Sequence, residues 1–86
     1  MKLRITKASG EVSDHEITPV IEYAFEGYAK KGFYRAFSED QKQSDVYWLA
    51  WECLRRSGAT VPTFGASFLE TLAKVEVIGD EENPNS

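Results

Sequence analysis

The alternation of apolar and polar positions at the start of the chain predicts a β-hairpin. In residues 2–7, Leu3 and Ile5 fall on one side and polar residues on the other, as in a half-buried strand. Ser9-Gly10 is a turn signal, and residues 11–17 are expected to return as a second strand. That second strand has only two apolar positions, which fall on opposite faces, so its pattern is the weaker of the two.

A first helix is predicted over about residues 19–31. Thr18 can cap it, and proline at the first helical position, Pro19, loses an amide that would have had no partner. The helix is expected to end before Gly32. Its apolar residues recur at spacings of three and four, and they are Val20, Ile21, Ala24, Phe25, Tyr28 and Ala29.

A second helix is predicted over about residues 39–57. Ser38 and Gln41 fit a capping box, in which the two side chains satisfy reciprocal backbone amides. Two arginines followed by Gly58 are typical of a helix C-terminus. The apolar arc of this helix is unusually wide, and it contains Val46, Tyr47, Trp48, Leu49, Ala50, Trp51, Cys53 and Leu54.

A third helix is predicted over about residues 63–78, starting after Pro62. Residues 80–86 are polar, acidic and interrupted by proline, so they are expected to form a flexible acidic tail. The predicted fold class is therefore α+β and mainly helical, in one compact domain over residues 1–79. It consists of an N-terminal β-hairpin, at about residues 2–17, followed by a three-helix bundle. The apolar stripe of the third helix is Phe64, Phe68, Leu69, Leu72 and Val75.

Composition narrows the class of protein. A chain of 86 residues that is 42% hydrophobic can form one folded core. The lone Cys53 cannot form an internal disulfide, which favours the cytoplasm over secretion. No segment has the apolar length of a signal peptide or a membrane span. Since no such segment is present, no membrane is expected as a partner. The net charge of −4 disfavours a surface that neutralises phosphates, so nucleic acid is not expected as a partner either.

The sequence indicates no enzyme active site, no cofactor and no metal site. His15 and Cys53 are the only strong nitrogen and sulfur ligands, and neither has a second ligand at metal-binding spacing; His15 is expected to be an exposed hairpin residue. The glycines form no phosphate-binding loop. A helix-turn-helix DNA reader built on the second and third helices is the nucleic-acid alternative, but Lys74 is the only basic residue of its recognition helix.

The surplus of aromatic residues favours a protein interface. Trp48 lies well around the second helix from Trp51, so the two rings are expected to face different surroundings. Aromatic residues concentrate in protein interfaces, and Phe37 adds another ring close by. The alternative is that the second helix is central and packed on two sides, with its aromatic residues in the core.

The order of these features resembles the tail assembly chaperones of long-tailed, siphovirus-type bacteriophages. The similarity spans most of the chain up to the acidic tail, and its motif consists of packing residues. The residues that carry it are Trp48-x-x-Trp51-x-x-Leu54-Arg55-Arg56-x-Gly58, Phe64-x-x-x-Phe68-Leu69 and Val75-Glu76.

The resemblance implies a chaperone in the host cytoplasm that binds the helical tape measure protein, keeps it soluble and promotes tail tube assembly. The tail tube protein would be an indirect partner, and self-association is left open. Such chaperones are often also made in a longer form by ribosomal frameshifting, which the DNA downstream of Ser86 would reveal. A virion structural component or a host interaction adaptor is the alternative. The candidate partner-binding residues are Trp48, Trp51, Leu54, Phe64, Phe68 and Phe37.

Overall fold

The computed structural model describes residues 1–79, and the flexible tail predicted for residues 80–86 lies outside them. Three strands form one antiparallel sheet in the order β2-β1-β3. They are β1 (Lys2–Lys7), β2 (Val12–Glu16) and β3 (Leu72–Ile78). The sheet therefore joins the two ends of the described chain, with the first strand at its centre.

The predicted N-terminal hairpin is present. Leu3 lies opposite His15, and Ile5 lies opposite Ser13. The turn is closed by a hydrogen bond of 2.8 Å from the amide of Gly10 to the carbonyl of Lys7. Gly10 has a φ of 98°, a backbone conformation that residues with a β-carbon rarely adopt. The alternation predicted for β1 places Leu3 and Ile5, both fully buried, on the inner face of the sheet.

Helix α1 (Pro19–Ala29) follows the second strand and starts where the sequence predicts. The hydroxyl of Thr18 caps it by accepting a hydrogen bond from the amide of Ile21. The helix ends two residues before the predicted boundary, because Lys30 adopts a left-handed conformation with a φ of 61°. Ile21 and Phe25 form its buried stripe.

The predicted capping box does not start the next long helix. A short helix, α2 (Phe33–Arg35), runs into a π-helical turn at Ala36–Asp40, and α3 (Gln43–Arg56) begins only afterwards. The hydroxyl of Ser38 donates to the carbonyl of Tyr34, four residues back, instead of capping α3. Ser38 therefore belongs to the preceding turn, where a local hydrogen bond competes with the predicted cap.

The predicted three-helix bundle is wrong. The segment predicted as the third helix contains only α4 (Ala66–Leu69), and the chain then enters β3. Val75 pairs with Ile5 and Val77 with Leu3, so β-branched residues complete the sheet instead of a helical stripe. The recognition helix required by the helix-turn-helix alternative is this same four-residue helix followed by a strand.

The core lies between the inner face of the sheet and the helices that pack on it. Phe25, Leu49 and Phe68 are fully buried and bring α1, α3 and α4 together against the sheet. The remaining buried hydrophobic residues of this cluster are Leu3, Ile5, Ile17, Ile21, Phe33, Ala36, Trp48, Ala50, Cys53, Leu54 and Val75. Aromatic residues of the helices belong to this core or pack at its margin, and they form the candidate site.

Candidate functional site

The six residues predicted to contact a partner divide into two groups. Trp48, Leu54 and Phe68 are buried, with exposed fractions of 7%, 4% and 0%. Phe37, Trp51 and Phe64 are partly buried and pack at the margin of the core. The second group therefore has ring surface that reaches solvent, whereas the first group contributes mainly to packing.

Most of the aromatic rings form one continuous network. Phe25 lies at its centre, with ring centroids 5.1 Å from Phe37 and 6.0 Å from Trp48. Phe33 meets Phe25 edge to face at 5.7 Å and meets Phe37 at 4.8 Å. Tilted and edge-to-face pairs of this kind are the favoured geometries of aromatic contacts. The network fixes α1, α2 and α3 relative to one another.

One end of the network reaches the surface, and we call Tyr28, Trp48, Trp51 and Phe64 the aromatic patch. The ring of Tyr28 stacks on Trp48, with centroids 4.6 Å apart and planes inclined by 11°. Phe64 lies beside both Tyr28, at 6.3 Å, and Trp51, at 6.1 Å. Tyr28 is 45% exposed, so the patch presents flat aromatic surface to solvent over a floor made by Trp48.

The connection between α3 and α4 holds the patch in place. The indole nitrogen of Trp51 donates a hydrogen bond of 2.8 Å to the carbonyl of Pro62. Gly58 ends α3 with a φ of 95°, and the amide of Ala59 then bonds back to the carbonyl of Leu54. This turn and the indole hydrogen bond together bring Phe64 against the rings of α1 and α3.

Charged residues flank the patch along α3. The guanidinium of Arg55 lies 5.3 Å from the ring centroid of Trp51, within the range of a cation–π contact. Arg55 also donates to Glu52, as does Arg56, so a carboxylate with 2% exposure is paired with two cations. Removing both arginines would leave the Glu52 carboxylate buried and without a compensating charge. The two arginines lie in the last turn of α3, where positive charge is also favoured by the helix dipole.

A second ionic cluster joins α1 to the start of α3. The ammonium of Lys31 lies 2.8 Å from Asp40 and 3.3 Å from the buried carboxylate of Asp45. The hydrogen bond with Asp40 raises the pKa of Lys31, and the same bond lowers the pKa of Asp40. The acidic residues near the start of α3 therefore have a structural use, since they anchor the loop and favour the positive end of the helix.

The two residues considered for chemistry do not form a reactive pair. His15 is partly buried, not exposed as predicted, and its Nε2 lies 2.9 Å from the hydroxyl of Ser13. His15 and Cys53 both line an open groove of about 320 Å³, but burial raises the pKa of the Cys53 thiol to about 11. A nucleophilic cysteine requires a lowered pKa. Within residues 1–79, no group of three or more His, Cys, Asp or Glu side chains could hold a metal ion.

Sequence reasoning missed Tyr28 as a surface residue. Tyr28 belongs to the apolar stripe predicted for the first helix, and such a stripe is expected to face the core. The signal that could have identified Tyr28 is its position at the C-terminal end of the stripe, two residues before Lys30. Tyr23 and Tyr34, with exposed fractions of 82% and 83%, also lie on the surface but outside the patch.

None of the helices formed by residues 1–79 combines the length and the apolar character that crossing a bilayer requires. A scan against protein-family models gives no match to the chain, and searches of curated proteins and of solved structures give none either.

Proposed function

We propose that this protein is a tail assembly chaperone of the type found in long-tailed bacteriophages, and that it binds an amphipathic helix of the tape measure protein through the aromatic patch. It acts by binding and not by catalysis. Its place is the host cytoplasm, and the tail tube protein is its indirect partner.

The observation that carries the proposal is the half-exposed ring of Tyr28, which stacks on the buried Trp48. Covering the remaining surface of this tyrosine would stabilise the fold, yet 45% of Tyr28 remains in solvent. Aromatic surface that is rigidly held and partly exposed is typical of binding sites, because it offers a large contact area with little loss of side-chain entropy. An amphipathic helix that lays its apolar stripe on a hydrophobic surface is a recurring form of recognition.

The charge distribution supports a helical protein client. The net charge of −4 keeps the complex soluble while the client's apolar stripe is covered. At the margin of the patch, Arg55 keeps part of its guanidinium in solvent and could meet acidic residues beside a client's apolar stripe. The patch therefore combines an apolar centre with a polar rim, which is the usual anatomy of an interface.

The first experiment is an affinity capture of the tagged protein from cells that produce its native partners, with the captured proteins identified by mass spectrometry. The test variant is Tyr28→Ala, which removes the exposed ring from the patch. The matched control is Tyr23→Ala, which removes an exposed ring from the same helix about 140° around its axis. Circular dichroism confirms that both variants are folded.

Recovery of a large helical, tape-measure-like protein by the wild type and by Tyr23→Ala, with loss by Tyr28→Ala, is the expected result. Recovery by Tyr28→Ala at the wild-type level would place the binding surface elsewhere. Recovery of nucleic acid alone, or of no helical client, would contradict the chaperone proposal itself. A virion structural component would instead be found in purified mature particles, whereas a chaperone is present during assembly and absent from them.

A further inference from the structure

The outer edge of β3 is unpaired in the part of the chain that the structure describes. β3 bonds to β1 on one side, and no strand of residues 1–79 lies on the other side. An edge of this kind presents a row of free amides and carbonyls that can pair with another strand. Ala73 and Lys74 are exposed, and Val77 is 49% exposed, so the edge is open to solvent.

The hydrogen-bond pattern identifies which residues form the free row. The amide of Ile17 donates to the carbonyl of Met1, and the amide of Lys7 donates to the carbonyl of Glu11. Because backbone groups alternate in direction along a strand, the odd-numbered residues of β1 bond to β2. The even-numbered residues of β1 therefore bond to β3, and their partners there are Lys74, Glu76 and Ile78. Val75 and Val77 consequently direct their amides and carbonyls outward.

We propose that this edge pairs with the β3 edge of a second copy of the chain, antiparallel and centred on Val75. The two sheets then form one continuous six-stranded sheet across a two-fold axis. In this register Val75 lies opposite Val75 of the partner, and Val77 lies opposite Ala73 of the partner. These pairs use the amides and carbonyls of Val75 and Val77, beside which no strand of residues 1–79 lies.

Charge complementarity selects this register. Lys74 and Glu76 lie on the outer face with their charged groups 3.5 Å apart. A two-fold axis at Val75 places each Lys74 opposite Glu76 of the other copy, which creates two opposite-charge pairs. An axis at Glu76 would instead place the two Glu76 carboxylates opposite each other, and like charges directly opposite are destabilising.

The same register covers apolar surface. Val77 is on the inner face of the sheet, beside Leu3, and its side chain is only half covered by its own chain. In this register the residue opposite Val77 is Ala73 of the second copy, which lies at the shift of the β1–β3 register beside Thr6 and Lys7; its small side chain leaves room for Val77. Lysine on an edge strand can also serve to block pairing, and in that case the chain would remain a monomer. The two explanations predict different responses to charge reversal.

The test uses the full chain and two charge-reversed variants, Lys74→Glu and Glu76→Lys, studied by sedimentation and native mass spectrometry. The wild type is expected to dimerise at protein concentrations up to about 100 μM, where a dimer with a micromolar Kd is largely assembled. Each variant alone places like charges opposite each other at both positions. The Kd of each is therefore expected to rise about tenfold or more.

Mixing the two variants restores opposite charges at both positions, so the mixture is expected to form heterodimers with a Kd near that of the wild type. A third variant, Val77→Pro, removes an amide that faces outward and keeps the bonds to β1, so it should be folded and monomeric. A wild type that stays monomeric at about 100 μM would overturn the proposal. Unchanged dimers of Lys74→Glu, or a mixture that gains no heterodimer, would overturn it as well.

Failure of this dimer is distinguishable from failure of the proposed function. The β3 edge and the aromatic patch share no residue, so Tyr28→Ala is expected to leave the sedimentation behaviour unchanged. Lys74→Glu is likewise expected to keep the affinity of a single patch for its client. It loses only the additional apparent affinity that a dimer gains from having two patches.

Discussion

Two phenylalanines four residues apart offer a direct test of the boundary between core and surface. Phe68 is fully buried, whereas Phe64 is partly exposed in the aromatic patch. Phe68→Ala removes a ring from the core and leaves a cavity, which costs about 3–5 kcal/mol of unfolding free energy. Phe64→Ala removes a ring that is still in contact with solvent, and we expect a loss of about 1–2 kcal/mol.

These losses are large compared with the stability of a chain of this size. At about 0.05–0.15 kcal/mol per residue, the free energy of unfolding is on the order of 4–13 kcal/mol. Phe68→Ala therefore removes a major part of it, and Phe68→Leu, which keeps most of the volume, serves as the milder variant with a loss of about 1–2 kcal/mol. One kcal/mol corresponds to a shift in Tm of about 4–8 °C in a domain of this length.

The assay is urea unfolding followed by far-UV circular dichroism, because the ring of Trp51 lies 6.1 Å from that of Phe64 and tryptophan emission would report local changes as well. The midpoint concentrations give the free-energy differences if the slopes of the transitions agree. Equal losses for Phe64→Ala and Phe68→Ala would refute the division between patch and core. A larger loss at Phe64 would show that the patch, and not the inner face of the sheet, is the centre of packing.

Three further predictions concern single residues. Burial lowers the pKa of His15, the only histidine, below 6.5; the stability contributed by its neutral ring is therefore complete above pH 6.5 and is lost as the pH falls through the lower folded-state pKa. NMR titration should show the lowered pKa, and His15→Gln should flatten the decline in urea midpoint between neutral and mildly acidic pH. Cys53, with a pKa of about 11, should react slowly with thiol reagents in the native protein and rapidly in urea, and fast native labelling would contradict its burial. Lys30→Gly should raise the Tm by relieving a left-handed residue at the end of α1, with a gain of about 0.5–1 kcal/mol that an unchanged Tm would exclude.

The elements that could be predicted from the sequence are those specified locally. Leu3 and Ile5 alternate in a single strand, and Thr18-Pro19 marks a helix start whose cap is made within three residues. These signals need no knowledge of distant parts of the chain. The hairpin, α1 and most of α3 follow from them.

The third strand could not be predicted in this way. Helical spacing separates Phe64, Phe68 and Leu72, so the pattern favours a helix. Polar and apolar residues alternate only from Lys74 onward, and this short alternation is the one sign of a strand. What decides the outcome is pairing with β1, at the other end of the chain, and tertiary pairing overrides local spacing.

The candidate site could be predicted only as a group of rings. The spacing of Trp48 and Trp51 indicates that their surroundings differ, and in the structure one is buried and the other partly exposed. Which ring reaches solvent depends on Tyr28, a residue of another helix that stacks on Trp48. Contacts between helices of this kind leave no mark in the periodicity of either helix.

The position of β1 between β2 and β3 has a consequence for how the protein is made. β1 precedes β2 and β3 in the chain, and β3 is synthesised only after the hairpin and the helices that lie between them. During translation the hairpin and the helices leave the ribosome before Val75 and Val77, the residues of β3 that lie opposite Ile5 and Leu3. One edge of β1 is unpaired during that time. Closing so long a loop is slow compared with forming a helix. The edge of β1 that pairs with β3 therefore stays open until β3 emerges, and the sheet of the described chain is completed only then.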